Sequence, residues 1–250
     1  CVYTDEEKQI VFMDTPGVHK PKHKLGEFMV DAAIESLKET EAVLFVVAGN
    51  EKRGPGDNFI IEQLKRVKVP VFLVVNKIDT LQKEQVLEAI VSYQDAYPFA
   101  GVIPISAKNK ENLSELLTVL GEHLPEGPQY FPDDMITDQP ERLIISDIVR
   151  EKILLSTRNE IPHAIAVDVD EMKTRDDGTT YIRATIYCER DSQKGIIIGN
   201  KGALLRKIGA EARMDIQKLL ATKVYLDLWV KVKKDWRNKS GMLSELGYKK

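Results

Sequence analysis

Val71-Phe72-Leu73-Val74-Val75-Asn76-Lys77-Ile78-Asp79 is the stretch that decides the fold. Its apolar run, entered from Pro70, has the pattern of a strand buried on both faces of a parallel sheet. Such a strand delivers Asn76, Lys77 and Asp79 to its carboxyl end, the edge where open α/β sheets bind ligands. An aspartate carboxylate there accepts hydrogen bonds from both the N1–H and the 2-amino group of guanine, and adenine offers no matching pair of donors. Asn76 is suited to tying neighbouring loops together, and the Lys77 stem to lying along the face of a base. A polar turn after any strand also yields Asn-Lys-x-Asp, so the weight of the pattern depends on what else reaches that edge.

Upstream, Ile10-Val11-Phe12-Met13 predicts a short strand that ends in Asp14-Thr15-Pro16-Gly17. The Asp14 carboxylate suits a Mg²⁺ ion held through water. Gly17, without a side chain, lets its N–H approach a terminal phosphate. The loop from Val18 to Lys24 is polar and broken by Pro21. Leu25, Phe28, Met29, Ala32, Ala33 and Leu37 recur at helical spacing. Ala42–Ala48 reads as a second buried strand, Gly49–Gly56 as a loop, and Ile60, Ile61, Leu64 and Val67 as a helix. Downstream, Val86, Leu87, Ile90 and Val91 mark another helix. Val102–Ile105 is a strand ending in Ser106-Ala107-Lys108, and Leu113, Leu116, Leu117, Leu120 and Leu124 mark the last helix of this half. Alternating strands and helices imply right-handed crossovers and a parallel sheet, with all three polar clusters on one edge.

DTPG, NKID and SAK, in this order, resemble the third, fourth and fifth motifs of a translation-factor-class GTPase. The resemblance implies GTP or GDP with Mg²⁺ as ligands. Asp14 would act on the metal through water, and Gly17, with Thr15 and Pro16 in the same motif, on the γ-phosphate. Asn76, Lys77, Ile78 and Asp79 would hold guanine, and Ser106, the Ala107 backbone and Lys108 would support the base from the other side. Gly-x-x-x-x-Gly-Lys-Ser/Thr occurs nowhere in the 250 residues. That loop supplies the phosphate-cradling N–H groups, the phosphate lysine and a Mg²⁺ hydroxyl. The expectation is therefore a P-loop-NTPase-like α/β domain over residues 1–127, truncated before its first strand, P-loop and first switch. The complete protein would hydrolyse GTP and this chain alone would not. Val18 stands where Ras-like enzymes orient the attacking water with Gln, so no catalytic residue is assigned.

Pro128, Pro132 and Pro140 punctuate a semi-rigid linker over residues 128–138. The second domain is expected over residues 139–250. A helix starting near Asp138 carries Leu143, Ile144, Ile148 and Leu155. Ile165, Val167 and Val169 alternate as a strand, and Asp176-Asp177-Gly178 turns it into a second strand with Ile182, Ala184, Ile186 and Cys188 inward. A helical piece Gln193–Ile198 runs into Gly199-Asn200-Lys201-Gly202, and a longer helix follows with Leu205, Ile208, Ala212, Ile216 and Leu219. From Val224 to Lys233, apolar and polar residues alternate strictly, giving a strand with one buried and one exposed face.

This α+β order resembles a type II KH domain, which implies a GxxG clamp on about four nucleotides of single-stranded RNA. The residues suit it. Gly199 and Gly202 clear space for a phosphate backbone, with Asn200 and Lys201 between them. Lys194, Lys201, Arg206 and Lys207 supply charge, and Ile196, Ile197 and Ile198 an apolar floor for bases. The competing reading is a helix–helix turn with a solvated basic face. Trp229 and Trp236 could stack on bases, but packing is the better expectation for Trp236.

Charge supports the division. From Lys194 to Lys250 there are 14 Lys/Arg against 5 Asp/Glu, a balance of +9, so the rest carries −12 of the total of −3. A basic last quarter on an acidic chain points to a polyanion partner for that quarter. Two cysteines exclude a disulfide framework or a cysteine metal cluster and suggest a reducing cytoplasm. No apolar run approaches ~18 residues, so no membrane-spanning helix is expected.

Taken together, DTPG followed by HKPKHKLGEFM, the linker LPEGPQYFPDD, and ERDSQKGIIIG and LWVKVKKDWR in the second half resemble the Era family of bacterial GTPases over essentially the whole chain. The resemblance implies a monomeric switch in small-subunit ribosome biogenesis. Its KH domain would bind the 3′ end of small-subunit ribosomal RNA, and it would associate peripherally with the inner face of the membrane. The alternative expectation is a non-enzymatic RNA-binding module whose incomplete nucleotide fold is only a scaffold.

Overall fold

Burial decides which of these periodicities become elements. In the computed structural model, residues 1–15, 24–37, 39–133, 135, 137, 139–157 and 165–245 are described. The chain divides into two units, Cys1–Lys22 with Gly26–Thr137, and His23–Leu25 with Asp138–Lys250.

In the first unit β1 (Val2–Thr4) pairs antiparallel with β2 (Gln9–Val11). Helix α1 (Lys24–Ser36) follows, then β3 (Val43–Ala48), α2 (Pro55–Leu64), β4 (Val71–Asn76), α3 (Lys83–Gln94), β5 (Gly101–Pro104) and α4 (Leu113–Gly121). Strands β3, β4 and β5 form a parallel sheet in that order, with Val43 opposite Val71 and Phe72 opposite Gly101. Every residue from Val71 to Val75 is buried, as the unbroken apolar run requires of a central strand. Val43, Phe45, Leu73 and Val75 pack on one side with Ile61, Leu64 and Tyr93, while Phe72 and Val74 pack on the other with Ile10, Ile103 and Leu116. Burying a side chain of this size contributes about 1.5–3 kcal/mol.

Two expectations for this unit need correction. The DTPG strand is not a member of the parallel sheet: β2 stops at Val11 and spends its hydrogen bonds on β1. Among the described residues, β3 has a strand partner only on its β4 side, and Val46 in its middle is 54% exposed. The α3 stripe is also only half correct, since Leu87 and Val91 face solvent and Tyr93 supplies the buried ring instead.

The start of the proline-rich stretch is strapped to β2. Gln9 Oε1 accepts from the backbone N–H groups of Tyr130 and Phe131, both at 3.0 Å, and Gln9 Nε2 donates to the Phe131 carbonyl at 2.9 Å.

The second unit contains α5 (Glu141–Ser156), β6 (Ala166–Thr174), β7 (Thr180–Cys188), α6 (Asp191–Ile198), α7 (Ala203–Leu220), β8 (Val224–Val232) and α8 (Ser240–Glu245). Strands β6 and β7 are antiparallel, and β8 adds parallel to β7. Ile182, Ala184, Ile186 and Cys188 are completely buried and meet Ile208, Ala212 and Ile216 of α7. The buried stripe of α5 is Ile145, Val149 and Ile153, not the expected set, and Leu143 and Leu155 are exposed. Pro140 precedes the first turn of α5, and the expected start at Asp138 lies outside the described residues. Trp236 is buried beside Ala166, Met242 and Leu243, so packing claims it, whereas Trp229 is exposed.

Candidate functional site

Strand β4 ends by handing Asn76 to a loop that turns at once. Lys77 sits in the left-handed region at φ 68°, a conformation a lysine adopts only when its surroundings impose it. Its carbonyl accepts from the Thr80 N–H at 3.1 Å and the Thr80 hydroxyl at 2.8 Å, which pins the turn. Asn76 Oδ1 accepts from the Lys77 N–H at 2.7 Å and the Ala107 N–H at 3.1 Å, bridging the loops after β4 and β5. The Ser106 hydroxyl donates to Asp79 Oδ1 at 2.7 Å and accepts from the Asn109 N–H at 3.1 Å. Asp79 itself is exposed, so this tether fixes a carboxylate that still faces solvent.

The NKID and SAK clusters therefore converge. Two assignments change in kind. Ser106 is fully buried, so it orients Asp79 instead of touching a ligand. The Ala107 N–H is committed to Asn76. Lys108 and Ile78 flank the site, exposed and half-buried respectively. Sequence reasoning passed over Gly49, whose N–H donates to the Asn76 carbonyl at 2.8 Å. A Cβ at Gly49 would come within 2.9 Å of Val75 and 3.0 Å of Leu81, so the close approach requires glycine. Glu51, also missed, lies 3.8 Å from Lys77 Nζ. The available signal was a glycine directly after an apolar strand.

Asp14 and Thr15 follow β2 as exposed residues, while Pro16, Gly17 and the loop from Val18 to His23 lie outside the described residues. Among the described residues no group of three or more His, Cys, Asp or Glu could hold a metal. One exposed carboxylate nevertheless fits Mg²⁺, which keeps most of its water and is completed by phosphate oxygens, without a protein cage.

In the second unit α6 and α7 are joined by a turn of three left-handed residues, Gly199 at φ 71°, Lys201 at φ 49° and Gly202 at φ 79°. The Gly202 N–H donates to the Gly199 carbonyl at 3.2 Å, closing it. Asn200 and Lys201 are exposed at its tip. A Cβ on Gly199 would lie 2.7 Å from that of Leu204, whereas one on Gly202 would meet nothing within 4 Å. Ile196 is exposed and Ile198 half-buried, but Ile197 is completely buried among the residues between the helices and the sheet. Ile197 is therefore corrected from ligand floor to core. Lys194 is half-buried, while Arg206 and Lys207 are exposed on the first turns of α7.

Comparison with known proteins agrees with both halves. The Elongation factor Tu GTP binding domain model matches residues 1–126, and the KH domain model matches residues 160–237. The GTPase Era of Clostridium kluyveri is 50% identical over 248 residues, covering 99% of this chain and 85% of that relative. A crystal structure of Era in complex with MgGDPNP and nucleotides 1506-1542 of 16S ribosomal RNA superposes with a TM-score of 0.93 at 40% identity, covering 99% of this chain and 84% of that one. Aquifex aeolicus Era bound to GDP.AlF4- gives a TM-score of 0.91 at 41% identity over 98% of this chain and 83% of that one. With an α/β nucleotide-binding fold followed by a KH fold and identity at this level over nearly its whole length, the chain belongs to the Era family of GTPases.

Proposed function

We propose that the protein is a GTP-binding, GTP-hydrolysing switch that binds RNA during biogenesis of the small ribosomal subunit, with its KH half holding the 3′ end of small-subunit ribosomal RNA. The carrying observation is that one chain has both an exposed aspartate tethered by a buried serine and a GxxG turn between two helices on a three-stranded sheet. A solved relative that is 40% identical is described as a complex with MgGDPNP and 16S ribosomal RNA.

In this reading residues 1–127 form the nucleotide-binding domain, 128–138 the linker and 139–250 the KH domain. Asp79 accepts the two donors on the guanine edge. Ser106 and Asn76 hold it and the neighbouring loop in position, and Lys77, Ile78, Ala107 and Lys108 surround the base. Asp14 holds Mg²⁺ through water, with Thr15, Pro16 and Gly17 toward the terminal phosphate. When bound, Mg²⁺ neutralises charge on the phosphates. The protein acts as a monomer and contacts the membrane only peripherally; no described helix is long and apolar enough to cross one.

The GxxG turn takes the RNA backbone. Gly199 and Gly202 admit the phosphates, Asn200, Lys201, Arg206, Lys207 and Lys194 attract them, and Ile196 and Ile198, backed by Ile197, offer apolar contact to the bases. Asn200→Asp with Lys201→Asp sets two negative charges against phosphate. RNA affinity is expected to fall about tenfold or more, and the dependence of binding on salt to become shallower. Filter binding at several salt concentrations measures both, and unchanged affinity moves the RNA site elsewhere.

A further inference from the structure

The face of the second unit's sheet turned away from α5, α6 and α7 carries an aromatic and basic surface beside the end where Trp236 and α8 cover Ala166 and Tyr187. On β8, Tyr225 and Trp229 point the same way, and each is 53% exposed. Large rings left this open are normally loose, but these are held. The Trp229 Nε1–H donates to Asp227 Oδ2 at 3.0 Å, and the same oxygen accepts from the Tyr181 hydroxyl at 3.1 Å and from Arg183 Nε at 3.3 Å. Tyr225 stacks on Tyr181 with centroids 5.8 Å apart at 14°, and the Arg175 guanidinium covers both rings at 5.0 and 4.9 Å. Burial pushes the Asp227 carboxyl pKa up, but its hydrogen bonds outweigh that and leave it below the usual range, so the hub stays ionised at neutral pH.

Both signs of charge surround the rings. Lys173, Arg175 and Arg183 lie beside Tyr181, and Lys231 and Lys233 continue the exposed face of β8. The carboxylates on this face are engaged within it: Glu171 by Lys173 at 2.7 Å, Asp227 by the hub and Asp170 by the Thr185 hydroxyl at 2.6 Å, while Asp168 stands in register with Thr185 and Trp229. Pre-set rings flanked by cations are what stacks unpaired bases while pairing their phosphates.

We infer that this outer face is a second single-stranded RNA contact, with bases stacking on Trp229 and Tyr225 and phosphates paired by Lys231, Lys233 and Arg175. It is distinct from the GxxG turn, which joins the two helices packed on the opposite face. The inference rests on the RNA-binding reading of this unit, and the test separates the two.

The intact chain is titrated with a fluorescein-labelled single-stranded oligoribonucleotide of about twelve nucleotides. Trp229→Ala and Tyr225→Ala are each expected to weaken binding about 5- to 100-fold, the loss of one stacked base. In the unmodified protein, RNA should also quench tryptophan emission, because Trp229 is open and Trp236 is buried. Trp229→Phe keeps a ring in place if the alanine variant does not fold, and it should abolish the quenching. If the Trp229 and Tyr225 variants bind as tightly as the parent while Asn200→Asp with Lys201→Asp loses binding, the outer-face contact is refuted and the GxxG reading stands. If the reverse holds, the outer face is the contact and the GxxG assignment fails. If no variant weakens binding, both are wrong.

Discussion

Asp79 carries more of the nucleotide reading than any other residue, and its neighbours show why. One carboxylate oxygen takes the Ser106 hydroxyl at 2.7 Å, which aligns the group and leaves acceptor capacity facing solvent. Replacing it by an amide exchanges one acceptor for a donor. Asp79→Asn is therefore expected to lower guanine affinity by about 10- to 100-fold, as loss of a charged hydrogen-bond pair does, and to shift preference toward xanthine, whose 2-oxo group accepts. Competition between GTP and XTP for the protein reads the change, and an unchanged guanine preference would count against the assignment. At this scale the sequence was informative where chemistry demands a residue type. That Asn76 and Asp79 stand at and just past the end of a buried strand was readable from the apolar run before them. The role of Ser106 was not, because a serine that binds a ligand and one that orients the residue binding it have the same one-letter signal. Burial separates them.

Elements were legible to the extent that their burial was one-sided or complete. β4 and β7 were read correctly because continuous and alternating apolar patterns have few other uses. The α5 stripe was not, because Leu143, Ile144, Ile145, Ile148, Val149, Ile153, Leu154 and Leu155 leave several possible faces, and only packing against β6 and α7 selects Ile145, Val149 and Ile153. The β2 strand was misplaced because strand propensity does not name a partner. The GxxG turn was found from its two glycines, but their roles differ in a way sequence does not show. Both have φ near +70° to +80°, but Gly202 at ψ 11° is in the left-handed helical region, where an alanine costs about 1–2 kcal/mol, whereas Gly199 at ψ 179° is in a region that essentially only glycine adopts. Gly199 must also clear Leu204, whereas Gly202 opens on empty space. Gly199→Ala is thus expected to lower the unfolding midpoint by several degrees more than Gly202→Ala. Differential scanning calorimetry of both variants checks this, and equal losses would mean that neither the Leu204 contact nor the backbone of Gly199 sets it apart.

For the molecule as a whole, the open question is which steps of a GTP cycle these residues can perform alone. They contain no Gly-x-x-x-x-Gly-Lys-Ser/Thr, and among the described residues β3 has a strand partner on one side only. Phosphates contribute most of the affinity of a nucleotide triphosphate site, through backbone N–H groups, a lysine and Mg²⁺. A base edge without them resembles a fragment site, with expected affinity no tighter than about millimolar. Titration calorimetry of the 250-residue chain with GTP and Mg²⁺ should therefore show no micromolar binding, while the same chain preceded by a strand and phosphate loop should bind and hydrolyse it. Micromolar binding by the chain alone would mean that the phosphates are held by residues not assigned to them here. If binding stays absent when the loop is supplied, the first unit is a scaffold for the RNA-binding half. The strap from Gln9 gives a further observable. It fixes Tyr130 and Phe131 to the strand that leads into Asp14, so a movement of that segment on nucleotide binding is transmitted to the start of the linker. Gln9→Ala removes the three hydrogen bonds to Tyr130 and Phe131 and one to the Thr4 hydroxyl, and should leave GTP affinity nearly unchanged while reducing any effect of GTP on RNA affinity. That difference between binding and coupling distinguishes a switch from two ligand sites that share a chain.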